Sequence, residues 1–391
     1  MNRILDRITS LFKPAVSIPA GLYHYQSPPQ EVPPYRMHLR VNEDGSGLLI
    51  INASTILHLN QTATEYVYHL IQGTSEEDTS SIIASRYLIS RDQARTDFLD
   101  TKDRILSLLK IPDLDPVSFL EFSREDPYTG TFNAPYRLDC ALTYRLPEGS
   151  NPQFAPTKRV DKELTTEEWF RVVDRAWELG IPHLIFTGGE PTLRDDLVQI
   201  VNKAEDNGQV TGLLSDGLKF SDANYRQEIL QSGLDHLLFL LSDDLDISWK
   251  ALEAILNEDL FTTVHITINP RNSSQLRDII VRCQELGANA ISLSTTDPDD
   301  DALGQALLDA QTLVAEADLP LKWDLPVPYS AHNPIAIELK KNQEAPHGTG
   351  KAWFYIEPDG DVLPGQGINH VLGNMLDDDW DQIWSQQKAD Q

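Results

Sequence analysis

Apolar and polar positions follow three rhythms along this chain. Tyr35 to Val41 alternates with period two and Gly47 to Asn52 is a short, almost wholly apolar run; together they predict two strands joined by the turn Asn42-Glu43-Asp44-Gly45. The period then lengthens. Ala63, Tyr66, Val67, Leu70 and Ile71 mark one face of a helix over Gln61–Gln72 that Gly73 ends. Two more helical patterns follow, Glu76–Arg86 and Ser90–Leu109, the second opening on the capping pair Ser90 and Gln93. From Tyr136 short apolar runs alternate with amphipathic stretches. The runs Leu138–Tyr144, His183–Phe186, Val210–Leu214, His236–Leu241, Thr263–Ile268 and Ala290–Leu293 predict strands. Between them, a capping box at Thr165 and Glu168 opens a helix through Leu179, and another spans Leu193–Asp206. Six β/α alternations predict an α/β fold with a partial parallel (β/α)6 barrel, TIM-like but smaller than the eightfold one.

Proline divides these regions. Pro14, Pro19, Pro28, Pro29, Pro33 and Pro34 make residues 13–35 an extended lead-in rather than a packed element, and Pro112, Pro116, Pro127 and Pro135 mark a link over 112–135. The expected divisions are 1–34, 35–111, 112–135, 136–330 and 331–391. Residues 1–12 carry apolar side chains at positions 4, 5, 8, 11 and 12, a short amphipathic helix that docks on a protein surface or touches a membrane surface weakly. They lack the apolar block and cleavage site of a signal peptide, and no apolar run reaches membrane-spanning length.

Composition narrows the function. A net charge of −28 repels nucleic-acid phosphates, so nucleic-acid binding is not expected. The two cysteines, Cys140 in an apolar strand and Cys283 in a helical pattern, lack metal-site spacing and read as buried small hydrophobes of a reducing, cytoplasmic compartment. The acidic runs Asp297-Pro298-Asp299-Asp300-Asp301 and Asp377-Asp378-Asp379 lack the spaced ligands of a calcium loop, and the first precedes a helix start that favours carboxylates.

Motifs at the strand ends carry a family resemblance. Thr187-Gly188-Gly189-Glu190-Pro191 closes the second barrel strand, and Leu142-Thr143-Tyr144-Arg145 closes the first. This pair resembles the opening of a radical S-adenosylmethionine (SAM) domain, in which the first strand runs into C-x-x-x-C-x-x-C-aromatic and the second ends in GGEP. Laid over that pattern, the cysteine positions are Leu146, Ser150 and Gln153, and the aromatic is Phe154. Leu214-Ser215-Asp216-Gly217 takes the place of the family's TNG, Leu240-Leu241-Ser242-Asp243 falls where S-L-D is common, and Asn269 ends the fifth strand. The tail resembles the SPASM extension: Trp353-Phe354-Tyr355-Ile356-Glu357-Pro358-Asp359-Gly360-Asp361-Val362-Leu363-Pro364, then Gly373-Asn374 and Ile383-Trp384. Its framing cysteines are replaced by His347 and Gly365. The N-terminal pattern resembles the PqqD-like domain, the leader-recognition element of ribosomal peptide (RiPP) maturases. The matching residues are Leu49-Ile50-Ile51-Asn52, Leu57-His58-Leu59-Asn60-Gln61-Thr62-Ala63-Thr64-Glu65 and Leu70-Ile71-Gln72-Gly73.

The resemblance implies a winged-helix-like peptide-binding module, a barrel and a short β-hairpin extension. Clusters take Cys sulfur, so the empty thiolate positions lead to the expectation of no iron–sulfur cluster and no required cofactor, with SAM left open. The implied SAM-contact positions are Gly188, Gly189, Glu190, Pro191, Ser215, Asp216 and Asn269. The glycines and Glu190 equally suit a tight strand-to-helix turn. Two functions follow: a pseudoenzyme that binds a peptide or a partner maturase through residues 35–111, or a cluster-independent enzyme using Glu190, Asp216, Asp243 and Asn269 around SAM or another small molecule.

Overall fold

The computed structural model describes residues 18–28, 30–31, 35–52, 55–110, 134–148, 150, 159–160, 162–242, 245–297, 299–322, 325–327 and 348–389. The chain divides into two compact units, residues 1–126 and 127–391.

In the first unit, strands β1 (Gly21–Gln26), β2 (Arg36–Val41), β3 (Gly47–Ile51) and β4 (Thr55–Leu59) form one antiparallel sheet in chain order. Helices α1 (Gln61–Ile71), α2 (Glu76–Tyr87) and α3 (Arg91–Lys110) follow. Asn60 starts α1 by accepting from the Ala63 amide at 2.9 Å, and Ser75 does the same for α2 from Asp78 at 3.1 Å. Met37, Leu39, Leu49, Leu57, Val67 and Ile105 close the core between sheet and helices. Two strands go beyond the sequence reading. Residues 21–26, expected as part of an unpacked lead-in, pair with β2. Aromatic packing holds them: Tyr23 meets the Tyr68 ring edge-on at 4.8 Å and Tyr25 lies 5.8 Å from Tyr35. Residues 55–59 extend the expected hairpin on its other side. The amphipathic pattern at 1–12 lies outside the described residues.

The second unit is built on six strands, each parallel to the next: β5 (Arg137–Thr143), β6 (His183–Gly188), β7 (Val210–Ser215), β8 (His236–Leu241), β9 (Phe261–Ile268) and β10 (Ala290–Thr295). Helices α4 (Thr166–Glu178), α5 (Leu197–Asn207), α6 (Ala223–Gln231), α7 (Asp246–Leu256), α8 (Leu276–Glu285) and α9 (Asp301–Glu316) alternate with them. The Thr165–Glu168 capping box is formed. The helix expected from Leu193 starts instead at Leu197, because Pro191–Leu193 make a single 3-10 turn and Arg194 is extended. Beyond β5 the sheet continues through β11 (Trp353–Ile356), parallel to β5, then β12 (Asp361–Leu363) and β13 (Gly373–Asn374), both antiparallel. Helix α10 (Trp380–Ala389) follows, and its Trp380 and Trp384 pack on Phe354.

Strand alternation gives the barrel two faces. Leu184, Phe186, Leu213, Leu237, Phe239, Val264, Ile266 and Ile291 belong to the large core that includes the helices. Ile185, Leu214, Leu238, His265, Ser292 and Ser294 are on the opposite face, toward the lumen.

Candidate functional site

The second strand of the barrel ends where its backbone runs closest to the first. Gly188 has φ +121°, and a Cβ there would sit 2.2 Å from the Thr143 carbonyl oxygen. At Gly189 a Cβ would meet the Arg145 carbonyl at 2.1 Å. The Gly189 amide donates to Thr143 O at 2.8 Å and the Glu190 amide to Arg145 O at 2.9 Å. No side chain fits between such backbones. The two glycines are thus fixed by strand-to-strand contact before any ligand is considered.

Glu190 turns inward and is 3% exposed. Its Oε1 accepts from the Thr192 amide at 3.0 Å, the Thr192 hydroxyl at 2.6 Å and the Ser215 hydroxyl at 2.8 Å, and its Oε2 accepts from the Asp216 amide at 2.8 Å. Pro191 begins the 3-10 turn that presents Thr192. The carboxyl therefore ties the tip of β6 to the tip of β7. Burial pushes the Glu190 carboxyl well above its ordinary range, and the charge of Asp216 adds to it, against the donors that favour the ionised form. Burial raises Asp216 too. Asp216 Oδ1 accepts from the Leu218 amide at 3.0 Å, and the Ser215 hydroxyl also accepts from the Gly217 amide at 2.9 Å.

Of the sequence-selected residues, Gly188, Gly189, Glu190, Pro191, Ser215 and Asp216 converge. Asn269 does not join them: its side chain closes a turn over residues 267–272, accepting from Arg271 N at 2.8 Å and donating to Thr267 O at 3.3 Å. Among the degenerate ligand positions, Leu146 packs into an apolar cluster with Ala141, Tyr144, Tyr355 and Leu363. The Ser150 amide donates to Pro147 O at 3.1 Å. A Cβ at Gly365 would meet the Thr349 side chain at 2.6 Å. Gln153, Asp243 and His347 lie outside the described residues. The acidic runs serve local geometry: Asp300 caps α9 by accepting from Ala302 N at 2.8 Å, and Asp378 accepts from Asn374 N at 2.7 Å. Among the described residues no three His, Cys, Asp or Glu side chains are grouped to hold a metal.

Two features escaped the sequence reading. A cavity of about 500 Å³ opens between Arg145, Glu163, Arg194 and Asp196, beside the β5 and β6 tips. Buried Arg194 spans it, bonding Asp196 at 2.7 and 2.8 Å and the Leu142 and Leu164 carbonyls, each at 3.1 Å. The lumen face, moreover, is lined with polar side chains. His265 Nδ1 lies 2.9 Å from Ser292 Oγ and its Nε2 2.9 Å from Ser294 Oγ, while His183 and His236 meet at 2.8 Å through Nε2. The period-two placing of Ser292 and Ser294, and of His265 and Thr267, was the signal available.

A sequence profile of the Radical SAM superfamily matches residues 140–312. The chain is 30% identical over 278 residues to the PqqA peptide cyclase of Bradyrhizobium diazoefficiens, covering 62% of this chain and 70% of that one. The chain belongs to the radical SAM superfamily. The PqqA peptide cyclase of Granulibacter bethesdensis is 27% identical over 271 residues, 62% of this chain and 71% of that one. Streptococcus suis SuiB bound to S-adenosylmethionine superposes with a TM-score of 0.55 at 13% identity, over 88% of this chain and 86% of that one. SuiB bound to its precursor peptide SuiA gives 0.55 at 13%, over 94% and 88%. At that identity the likeness is one of fold.

Membership corrects one expectation. The chain was expected to need no cofactor and to have no iron–sulfur cluster; its radical SAM homologues bind SAM and iron–sulfur clusters. The residues present fit those groups poorly. The chain has two cysteines, both fully buried, on β5 and α8, and burial pushes the Cys283 thiol up to about 12 and Cys140 well above its usual range. Both oxygens of Glu190 are engaged by protein donors. No chemical step is derived through either group.

Proposed function

We propose that this chain works in ribosomal peptide maturation, binding a peptide or a partner maturase through residues 35–111, and that it does not itself carry out radical chemistry. The observation that carries the reading is its relation to PqqA peptide cyclases, at 30% identity over 278 residues. The SuiA-bound fold neighbour supports it. The PqqD-like reading of residues 35–111 supplies the site. β1 covers one side of the four-stranded sheet, and β4 is the strand at its other side. A peptide strand adds to such an edge through backbone hydrogen bonds, and side-chain pockets give specificity. The donor set argues against radical catalysis, because two buried thiols do not make three thiolate ligands.

Calorimetric titration of the full chain with precursor peptides encoded beside it tests this reading. Leu57 and Leu59 face the core, so Ile56 faces away from it. Ile56→Lys places a charge on the β4 edge and is expected to weaken binding tenfold or more while the fold persists. Peptides that bind neither form overturn the proposal. A second reading, an enzyme using SAM or another small molecule at the barrel mouth, is favoured by the cavity beside Arg194 and by the family. Thermal stabilisation by SAM that Arg194→Ala abolishes would select it.

No helix of the described residues is long and apolar enough to cross a membrane. A cytoplasmic location is proposed on the two unpaired, buried cysteines.

A further inference from the structure

Ile185 on β6, Leu214 on β7 and Leu238 on β8 form an apolar patch on the lumen face, each fully buried, and Leu325 packs onto it from outside the strands. Leu214 and Leu238 are direct register partners, so the patch is continuous across two strands. Leu325 belongs to a segment tied down by one side chain. The Val327 amide donates to Gln366 Oε1 at 3.2 Å, and Gln366 Nε2 donates to the Val327 carbonyl at 2.8 Å. A carboxamide bonded in this way reads the main-chain N–H and C=O of one residue and is indifferent to the side chain that residue carries. Pro326, between Leu325 and Val327, restricts the segment's backbone.

A second observation lies one pleat from the patch. Thr187 is on the same face of β6 as Ile185 and is 0% exposed, and its hydroxyl has no hydrogen-bond partner among the described residues. A buried polar atom without a partner is costly and calls for an explanation. Next to a patch filled by a leucine, a hydroxyl able to donate or accept suits the backbone of an incoming chain.

We propose that the barrel lumen is a binding site for an aliphatic side chain carried on an extended peptide, and that residues 325–327 occupy it as an internal stand-in which such a peptide displaces. The proposal rests on the peptide-maturation reading and deepens it. The stand-in shows what the site accepts: a leucine side chain on the patch and a backbone amide on Gln366. A self-occupied site binds outside ligand in proportion to the fraction of time it is vacant. Loosening the stand-in therefore raises apparent affinity without any new contact.

The test uses the full chain and a blocked peptide copying residues 323–328, with a control peptide in which serine replaces the leucine. Leu325→Ser removes the stand-in's anchor, and Gln366→Ala releases its backbone. Leu325→Ser is expected to bind the copy peptide at least tenfold more tightly than the wild type does. It is expected to bind the serine control no better than the wild type does. Hydrogen exchange in β6–β8 is expected to slow when the copy peptide is added. Gln366→Ala keeps the stand-in's leucine but loses its latch, so it is expected to show faster exchange in 325–327 and a smaller gain in affinity. Equal binding by wild type and both variants, or equal binding of both peptides, overturns the proposal. If precursor peptides bind in an Ile56-dependent way while the copy peptide binds no form, the lumen proposal falls and the peptide-maturation reading stands. The opposite pattern removes the role of residues 35–111 and leaves the lumen site.

Discussion

Thr187 and Glu190 stand three residues apart at the end of one strand, and both are buried. Glu190 spreads four donors over its two oxygens. Thr187 has none among the described residues. Glu190 is at the tip, held by donors of the neighbouring loops, whereas Thr187 faces the lumen. A polar group that is fully satisfied by its own protein stabilises the fold and has little left to offer a ligand. An unsatisfied one costs the fold and gains when a ligand arrives. The difference suggests that the GGEP tip is framework in this chain and that its binding capacity lies deeper in the barrel.

Gly189→Ala tests the framework side most severely. Its Cβ would enter the space held by the Arg145 carbonyl, 2.1 Å away. Backbone on both sides must shift, so a loss of about 3 kcal/mol is expected from overpacking. Melting measured without SAM decides the point. If the glycine serves only a ligand's approach, the ligand-free protein will melt unchanged, and the framework account of the tip fails.

Glu190→Ala comes next. It strands the Asp216 amide and the Ser215 and Thr192 hydroxyls in a buried place, at roughly 1–3 kcal/mol for a group left unsatisfied. The loss is expected to be equal with and without added SAM. A variant as stable as the wild type, yet deaf to SAM where the wild type responds, would return Glu190 to a ligand role.

These consequences were unevenly legible beforehand. The six barrel strands were visible because buried parallel strands read as short apolar runs between turn residues. β1 was not, since Gly21–Gln26 lies among prolines, has no fully buried residue, and is held by Tyr68 from a helix over forty residues away. The GGEP tip was visible as a motif. Its meaning was not, because the choice between ligand contact and framework depends on the Thr143 and Arg145 carbonyls and on Ser215, all distant in sequence. Leu325 on Ile185 leaves no pattern along the chain at all.

A gentler probe is pH. Glu190 is raised from an ordinary 4.5 to about 8 by burial and by Asp216. Between those values the folded chain keeps a proton that the unfolded chain has released. The stability this group contributes is complete below the lower value and is lost as pH climbs toward the upper one. Wild type is therefore expected to melt progressively lower from about pH 5 to pH 8, while Glu190→Gln, which has no proton to lose, shows a shallower slope. Parallel slopes for the two proteins would mean that the carboxyl is already ionised in the fold.

The smallest effect belongs to Thr187. Valine has nearly its shape and lacks the hydroxyl, so Thr187→Val removes a buried polar atom without leaving a hole. Where that hydroxyl has no partner, the change is expected to be neutral or to stabilise by up to about 1 kcal/mol. In the Leu325→Ser background the same substitution is expected to weaken binding of the copy peptide, because it removes the atom available to that peptide's backbone. A drop in stability would show that the hydroxyl is already bonded within the protein, and the contrast with Glu190 would disappear. Unchanged stability together with unchanged peptide affinity would leave the apolar patch and Gln366 to account for lumen binding by themselves.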